Sequence, residues 1–182
     1  KKLIWQAMID KKMPDWGYKF PYYYGYGLYD KLSKIVSNFN LLLNPGFEAG
    51  NTSSWYTGNT FGGAEFSFYA LGDDAISGSF SGLIEITKAG SSNNRPMIYT
   101  KLKQKTEAGK KYSFRFKIKR VSGNPGIKYL NYAAGLKSYT GSMEGQFGIS
   151  FTATSASEYV YLYIDGTKEG SFLVDDLEFY EE

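Results

Sequence analysis

Residues 41–50 read Leu41-Leu42-Leu43-Asn44-Pro45-Gly46-Phe47-Glu48-Ala49-Gly50, and Trp55 closes the stretch. Three apolar residues run into a turn signal, because Pro45 fixes φ and Gly46 accepts φ > 0. The chain is expected to enter here as a strand, turn sharply, and set Glu48 just beyond the turn. Residues before it are rich in tyrosine and partly helical in pattern. Residues after it alternate apolar and polar, ending in Phe172-Leu173-Val174-Asp175-Asp176-Leu177-Glu178-Phe179.

That alternation is clearest over Lys110–Arg120. Tyr112, Phe114, Phe116 and Ile118 fall on one face, and Ser113, Arg115, Lys117 and Lys119 fall on the other. Strands are also expected at Glu65–Ala70, Ile76–Ile86, Arg95–Lys103, Gln146–Thr154 and Gly170–Tyr180, with shorter ones at Ile127–Tyr132 and Lys137–Met143. Phe147, Ile149 and Phe151 should face inward. So should Val160, Leu162 and Ile164, leaving Tyr159, Tyr161 and Tyr163 outward, before a hairpin signal at Asp165-Gly166. Many short strands with turns between them predict an all-β sandwich of two antiparallel sheets. On the last strand, Leu173, Leu177 and Phe179 are expected to share the inner face, and parity then points Asp175 inward.

Residues 1–39 are expected to form a separate, partly helical segment, with the domain boundary near residue 39 and the sandwich over 40–182. Leu3, Ile4, Ala7 and Met8 stand at helical spacing before Pro14, and Leu28, Leu32, Ile35 and Val36 repeat the pattern. Between them, Trp16, Tyr18, Phe20, Tyr22, Tyr23, Tyr24, Tyr26 and Tyr29 sit among Gly and Pro. So many large apolar faces need cover. The segment is expected to pack on its own sandwich, to dock on a neighbouring domain or subunit, or to stack on a glycan.

Composition removes several classes of function. The chain has no Cys and no His, so Ser-His-Asp and Cys-His catalysis and most zinc sites are absent. A net charge of +3 leaves no strong nucleic-acid footprint. No apolar run approaches the ~18–20 residues of a membrane span. No signal peptide is visible. The chain starts at Lys1, as expected of a processed product or a fragment of something longer. Carboxylates such as Glu65, Asp73, Asp74, Glu85 and Glu144 form no recognisable hydrolytic pair, so no catalytic residue is expected.

The two ends of residues 40–182 resemble the jelly-roll carbohydrate-binding modules, in particular the group containing families four, nine and twenty-two. Their first strand is an apolar run, then Asn-x-Gly-Phe-Glu, then a Trp, as in Leu41–Glu48 and Trp55. Their last strand reads apolar, Asp-Asp, apolar, as in Phe172–Phe179. Ile76–Ile86 resembles the family strand that pairs near the first one. The resemblance implies a jelly-roll sandwich and a structural calcium joining the first and last strands. Glu48 and Asp175 would be its ligands, with Asp176 as the alternative to Asp175. Ca²⁺ takes six to eight oxygens, so loop carbonyls would complete the shell. The other reading of these carboxylates is that they cap turn amides. Trp55 is expected to pack at the sandwich edge, although its position also invites sugar stacking.

The outward face is the other candidate. Sugar rings have apolar CH faces that stack on aromatic rings, and their hydroxyls bond to Arg, Lys, Asn and Gln. Tyr161 and Tyr163, beside Arg115 and Lys117 with Tyr129 at the rim, would suit a polysaccharide, including an acidic one. The alternative is cross-strand tyrosine packing, with the cations on the opposite sheet for solubility. The expected function is a non-catalytic carbohydrate-binding module of a larger extracellular, cell-surface or virion protein. Its expected partner is a polysaccharide or cell-surface glycan. The alternative is a structural or receptor-binding module of a bacteriophage tail or baseplate, or of a surface adhesin, with residues 1–39 docked on a neighbouring subunit.

Overall fold

A computed structural model describes residues 40–60, 62–91 and 95–182. The helices expected over 1–12 and 28–38, and the aromatic connector between them, lie outside the described residues. The described residues contain ten strands and no helix. These are β1 (Trp55–Thr60), β2 (Glu65–Leu71), β3 (Ser81–Lys88), β4 (Arg95–Lys101), β5 (Lys111–Gly123), β6 (Ile127–Tyr132), β7 (Gly135–Ser138), β8 (Glu144–Thr152), β9 (Tyr159–Ile164) and β10 (Gly170–Glu181). They form two sheets of five, in the orders β1-β4-β9-β6-β7 and β2-β3-β10-β5-β8, with every pairing antiparallel. The fold is the expected jelly-roll sandwich.

The inner faces follow the alternation. Val160, Leu162 and Ile164 of the first sheet are fully buried against Phe114, Phe116, Phe172, Val174 and Phe179 of the second. Phe147, Ile149 and Phe151 of the edge strand β8 pack on the same core while partly exposed. Trp55 is buried, donates its indole N–H to the Asn44 carbonyl at 3.1 Å, and lies 5.8 Å from the Phe47 ring. It packs at the sandwich edge.

Residues 41–50 form bends and turns rather than a strand, yet they pair on both sides. The Leu41 amide donates to the Phe179 carbonyl at 2.7 Å, and the Leu177 amide donates to the Pro45 carbonyl at 3.0 Å. On the far side the Lys103 amide donates to the Leu41 carbonyl at 2.8 Å. Asn40 adds a side-chain clamp: its Nδ2 donates to the Leu177 carbonyl, and its Oδ1 accepts from the Leu42 and Phe179 amides, at 2.8, 3.1 and 3.0 Å. The left-handed residues are Asn44, Phe47 and Gly50, at φ 45°, 58° and 67°, and not Gly46 as expected. Positive φ at a bulky residue costs about 1–3 kcal/mol. Burying a phenyl ring returns about 1.5–3 kcal/mol. Phe47 is fully buried, with its ring edge-on to Phe68 at 5.7 Å, so packing offsets the strain. A Cβ at Gly82 would come within 2.8 Å of that ring, which explains the glycine opposite it.

One expectation about β10 is corrected. Phe172 and Val174 join the core, and so do Leu177 and Phe179. Between them Asp175 pairs with Lys117 and Glu178 pairs with Arg115, three residues against two. This is a β-bulge with one extra residue, and Asp176 takes φ 47° within it. The bulge resets the parity, so Leu173 and Asp175 lie on the face of β10 opposite Phe172 and Val174, where both are still fully buried. A second correction concerns residues 76–80. They are not strand but a loop ahead of β3 that reaches Asp175. The strand expected over Lys137–Met143 is the shorter β7, and β1 was not expected as a strand.

The Asn40 clamp closes the start of the sandwich onto its last strand. Asn40→Ala leaves the Phe179 amide without its acceptor and should cost about 1–3 kcal/mol of stability, read by urea unfolding. A loss under about 0.5 kcal/mol would show that solvent replaces the clamp.

Candidate functional site

The outer face of the first sheet is a ladder of tyrosines. The register sets Tyr161 opposite Tyr99, and Tyr99 opposite Tyr56. On the other flank Asn131 is opposite Tyr161, and Tyr129 is opposite Tyr163. Ring centroids are 5.4 Å apart for Tyr56–Tyr99, 5.2 Å for Tyr99–Tyr161 and 6.0 Å for Tyr161–Tyr163, with interplanar angles of 29°, 24° and 22°. Tyr159 meets Tyr99 and Tyr161 at 6.1 Å each. Offset, near-parallel rings are a favoured aromatic geometry. Such a stack gives part of each inner ring face to its neighbours. It leaves open the ring edges and the outer face of the end ring, Tyr56, which is 52% exposed. Burial, then the neighbouring Tyr163, Tyr159 and Tyr99, push the Tyr161 hydroxyl above its ordinary pKa. It stays protonated at neutral pH and both donates and accepts.

Cations gather at one end of the ladder. The Arg95 guanidinium lies 4.8 Å from the Tyr129 ring centre, and the Lys128 ammonium lies 5.8 Å from it. Both are within cation–π range. Lys101 faces Glu158 at 3.6 Å in an exposed ion pair. The five strands of this sheet contain no aspartate or glutamate.

Arg115 and Lys117 do not share this face. They lie on β5, in the second sheet, while Tyr161 and Tyr163 lie on β9 and Tyr129 on β6, in the first. The expected combined face of tyrosines and these two cations is therefore corrected. Arg115 stacks over Tyr180 at 5.5 Å, and Lys117 pairs with Asp176 at 2.7 Å. Tyr56, Tyr99, Arg95, Asn131 and Lys128 were not picked out from the sequence. For Tyr99 and Arg95 the signal existed, since Arg95, Met97, Tyr99 and Lys101 alternate with Pro96, Ile98 and Thr100.

The three carboxylates expected to bind calcium lie about the loop that leads into β3, Glu48 against Ser79 and Asp175 and Asp176 against Ser77. The fully buried Asp175 accepts at Oδ2 from the Ser77 amide (3.0 Å), the Ser77 hydroxyl (2.9 Å) and the Ser81 hydroxyl (2.9 Å), and at Oδ1 from the Asp176 amide (2.7 Å). The single Ser77 hydroxyl proton is shared with Asp176 Oδ2, 2.8 Å away. Glu48 Oε2 accepts from the Ser79 amide at 2.9 Å. Burial raises the Asp175 carboxyl above its ordinary pKa, against the lowering effect of Ser81, the Asp176 amide and Ser77. Hydrogen bonding to Asp176 raises the Lys117 ammonium above its own.

All-oxygen chemistry suits a hard cation. The arrangement itself does not fit one. Three donors fill Asp175 Oδ2, an amide holds Glu48, and Lys117 already gives Asp176 a counter-charge. No group of three or more carboxylates, thiols or imidazoles among the described residues is placed to hold a metal ion. Glu48, Asp175 and Asp176 therefore fit a junction closed by the protein's own donors.

No family profile matches the sequence, and no curated protein matches it. Solved structures share its fold. The enzymatically active domain of tailspike protein 4 from bacteriophage CBA120 superposes with a TM-score of 0.56 at 12% identity, over 79% of this chain and 22% of that one. An arabinose-bound α-L-arabinofuranosidase gives 0.57 at 13% identity, over 78% of this chain and 26% of that one. The CBM1 module of BiXyn10A, in its apo form, gives 0.50 at 14% identity, over 70% of this chain and 97% of that one. This chain thus spans about a fifth and a quarter of the first two chains, and nearly all of the third. At these identities the likeness is one of fold. The sandwich is of the jelly-roll type found in carbohydrate-binding modules.

A junction satisfied from within should be indifferent to chelation. Thermal unfolding in excess EDTA is expected to match that in millimolar calcium. A melting point lower by about 5 °C or more in EDTA would mean that the carboxylates close on an ion instead.

Proposed function

We propose that residues 40–182 are a non-catalytic carbohydrate-binding module, and that a polysaccharide lies across the tyrosine ladder of the first sheet. The observation that carries this reading is the Tyr56–Tyr99–Tyr161–Tyr163 stack on an outer sheet face. Packing between tyrosines accounts for the inner rings. It does not use the open face of Tyr56 or the ring edges, which offer apolar contact and phenol groups together. Asn131 and Arg95 supply further hydrogen-bonding groups beside them. A chain of sugars has the matching surface, with CH faces between hydroxyls. Strands free of aspartate and glutamate support binding rather than glycoside hydrolysis, which takes two carboxylates flanking the bond. The module would belong to a larger extracellular, cell-surface or virion protein.

A second reading is an assembly or receptor-binding module of a phage tail or adhesin. It is favoured by the aromatic content of residues 13–29. It expects the full chain to associate through residues 1–39, and a monomer in sedimentation velocity at high concentration would count against it.

The ladder reading is tested by affinity electrophoresis against xylan, mixed-linkage glucan and galactan. At least one polymer should retard the protein. Tyr99→Ala/Tyr161→Ala should weaken that binding by about tenfold or more, since tenfold is about 1.4 kcal/mol and apolar contact contributes about 25 cal/mol per Å² of surface buried. Unchanged retardation of a folded double variant would remove the ladder from the site.

A further inference from the structure

We propose that a cationic hollow at the Tyr129 end of the ladder binds the acidic group of a glycan, so that the ligand is an anionic polysaccharide. This inference rests on reading the ladder as the glycan site. The hollow has a volume of about 320 Å³ and forms where three connections meet. Asn124, Pro125 and Gly126 come from the turn between β5 and β6. Tyr139, Gly141 and Met143 come from the link between β7 and β8. Asp165 and Lys168 come from the turn between β9 and β10. Arg120, Lys128 and Lys168 line it.

The walls are pinned by their own hydrogen bonds. The Asp165 amide donates to the Gly126 carbonyl at 2.8 Å, and the Tyr139 amide donates to the Lys128 carbonyl at 3.0 Å. The Tyr139 hydroxyl donates to the Ser142 carbonyl at 2.6 Å, and burial pushes its pKa up to about 12. It therefore adds no negative charge at neutral pH.

The charge balance is positive. Against the three cations stands one lining carboxylate, Asp165, whose Oδ1 already accepts from the Thr167 amide and hydroxyl at 3.2 and 2.7 Å. Glu144 lies close by, accepting from the Arg120 backbone amide at 3.1 Å. Three cations still exceed two carboxylates, and like charges held together favour an anion between them.

Lys128 joins the hollow to the ladder. Ile127 pairs with Ile164 and Tyr129 with Tyr163, two steps on β6 against one on β9, so Lys128 is the extra residue of a bulge. A bulge re-aims a side chain. This one gives Lys128 to the hollow while leaving its ammonium 5.8 Å from the Tyr129 ring. A chain seated on Tyr161, Tyr163 and Tyr129 would carry a carboxylate or sulfate ester to this corner.

The test compares polygalacturonate and dextran sulfate with neutral galactan and dextran at ~0.15 M salt, where long-range charge effects are screened. One anionic polymer should bind about tenfold more tightly than its neutral counterpart, and which one it is separates carboxylate from sulfate. Lys128→Gln/Lys168→Gln should remove that advantage, while Lys168→Gln alone, away from the ladder, should lower it and leave neutral binding unchanged. Arg115→Gln/Lys119→Gln, on the opposite sheet, should change neither. Equal binding of charged and neutral polymers overturns the hollow and leaves the ladder standing, provided Tyr99→Ala/Tyr161→Ala weakens both by about tenfold or more. An equal loss in the opposite-sheet control also overturns it, since overall charge would then explain the preference. If anionic binding falls with the lysines but survives the tyrosine variant, the hollow stands and the ladder falls. If no polymer binds the folded protein, both fall.

Discussion

The buried carboxylate of Asp175 is the constraint on which this sandwich turns. A charge removed from water needs donors on every side. Those donors come from places far apart in the chain: the Ser77–Ser81 loop, the next residue of the bulge, and Lys117 of the neighbouring strand acting through Asp176. Satisfying one side chain therefore fixes three segments. The loop that covers it also presents the Ser79 amide to Glu48, which anchors the turn after the first segment.

The position of that bulge along β10 matters as much as its chemistry. Before it, β10 pairs with β3; after it, the same edge takes the backbone of residues 41–45. A single strand thus holds β5 along its whole length and two different partners on its other side. The first segment carries Leu42 and Phe47 into the core and touches the chain beyond β4. The first segment therefore bridges β10 of the second sheet and the residues that follow β4 of the first.

Alternation made most of the sandwich legible. Tyr112 to Ile118 and Val160 to Ile164 face inward as their spacing requires, because a strand's side chains have a period of two. Three things escaped that reading. The bulge at Asp175–Asp176 adds one residue, and a parity count that assumes an unbroken strand then assigns Leu173 and Asp175 to the wrong side. Alternation along β5 and β9 shows which residues face out but not which sheet each strand joins, so Arg115 and Lys117 were placed beside tyrosines that lie on the opposite sheet. Strand β1 has Gly58 and Asn59 where apolar residues would mark a strand, so Tyr56 was not seen as the end of a row. Glu48, Asp175 and Asp176 all take donors from the one loop over Ser77–Ser81. Their occupation by serine and backbone donors depends on a loop whose path the sequence does not reveal.

The lack of acidic residues and histidine in the first sheet has a consequence for the environments in which it can work. Carboxylates titrate near pH 4 and imidazole near 6.5, whereas phenols, lysine and arginine change charge only around pH 10 and above. Tyr161 is shifted further still in that direction. The five strands of this sheet hold no residue type whose ordinary pKa lies between mildly acidic and mildly alkaline water. The residue types of these strands thus give the sheet face the same formal charge across that span.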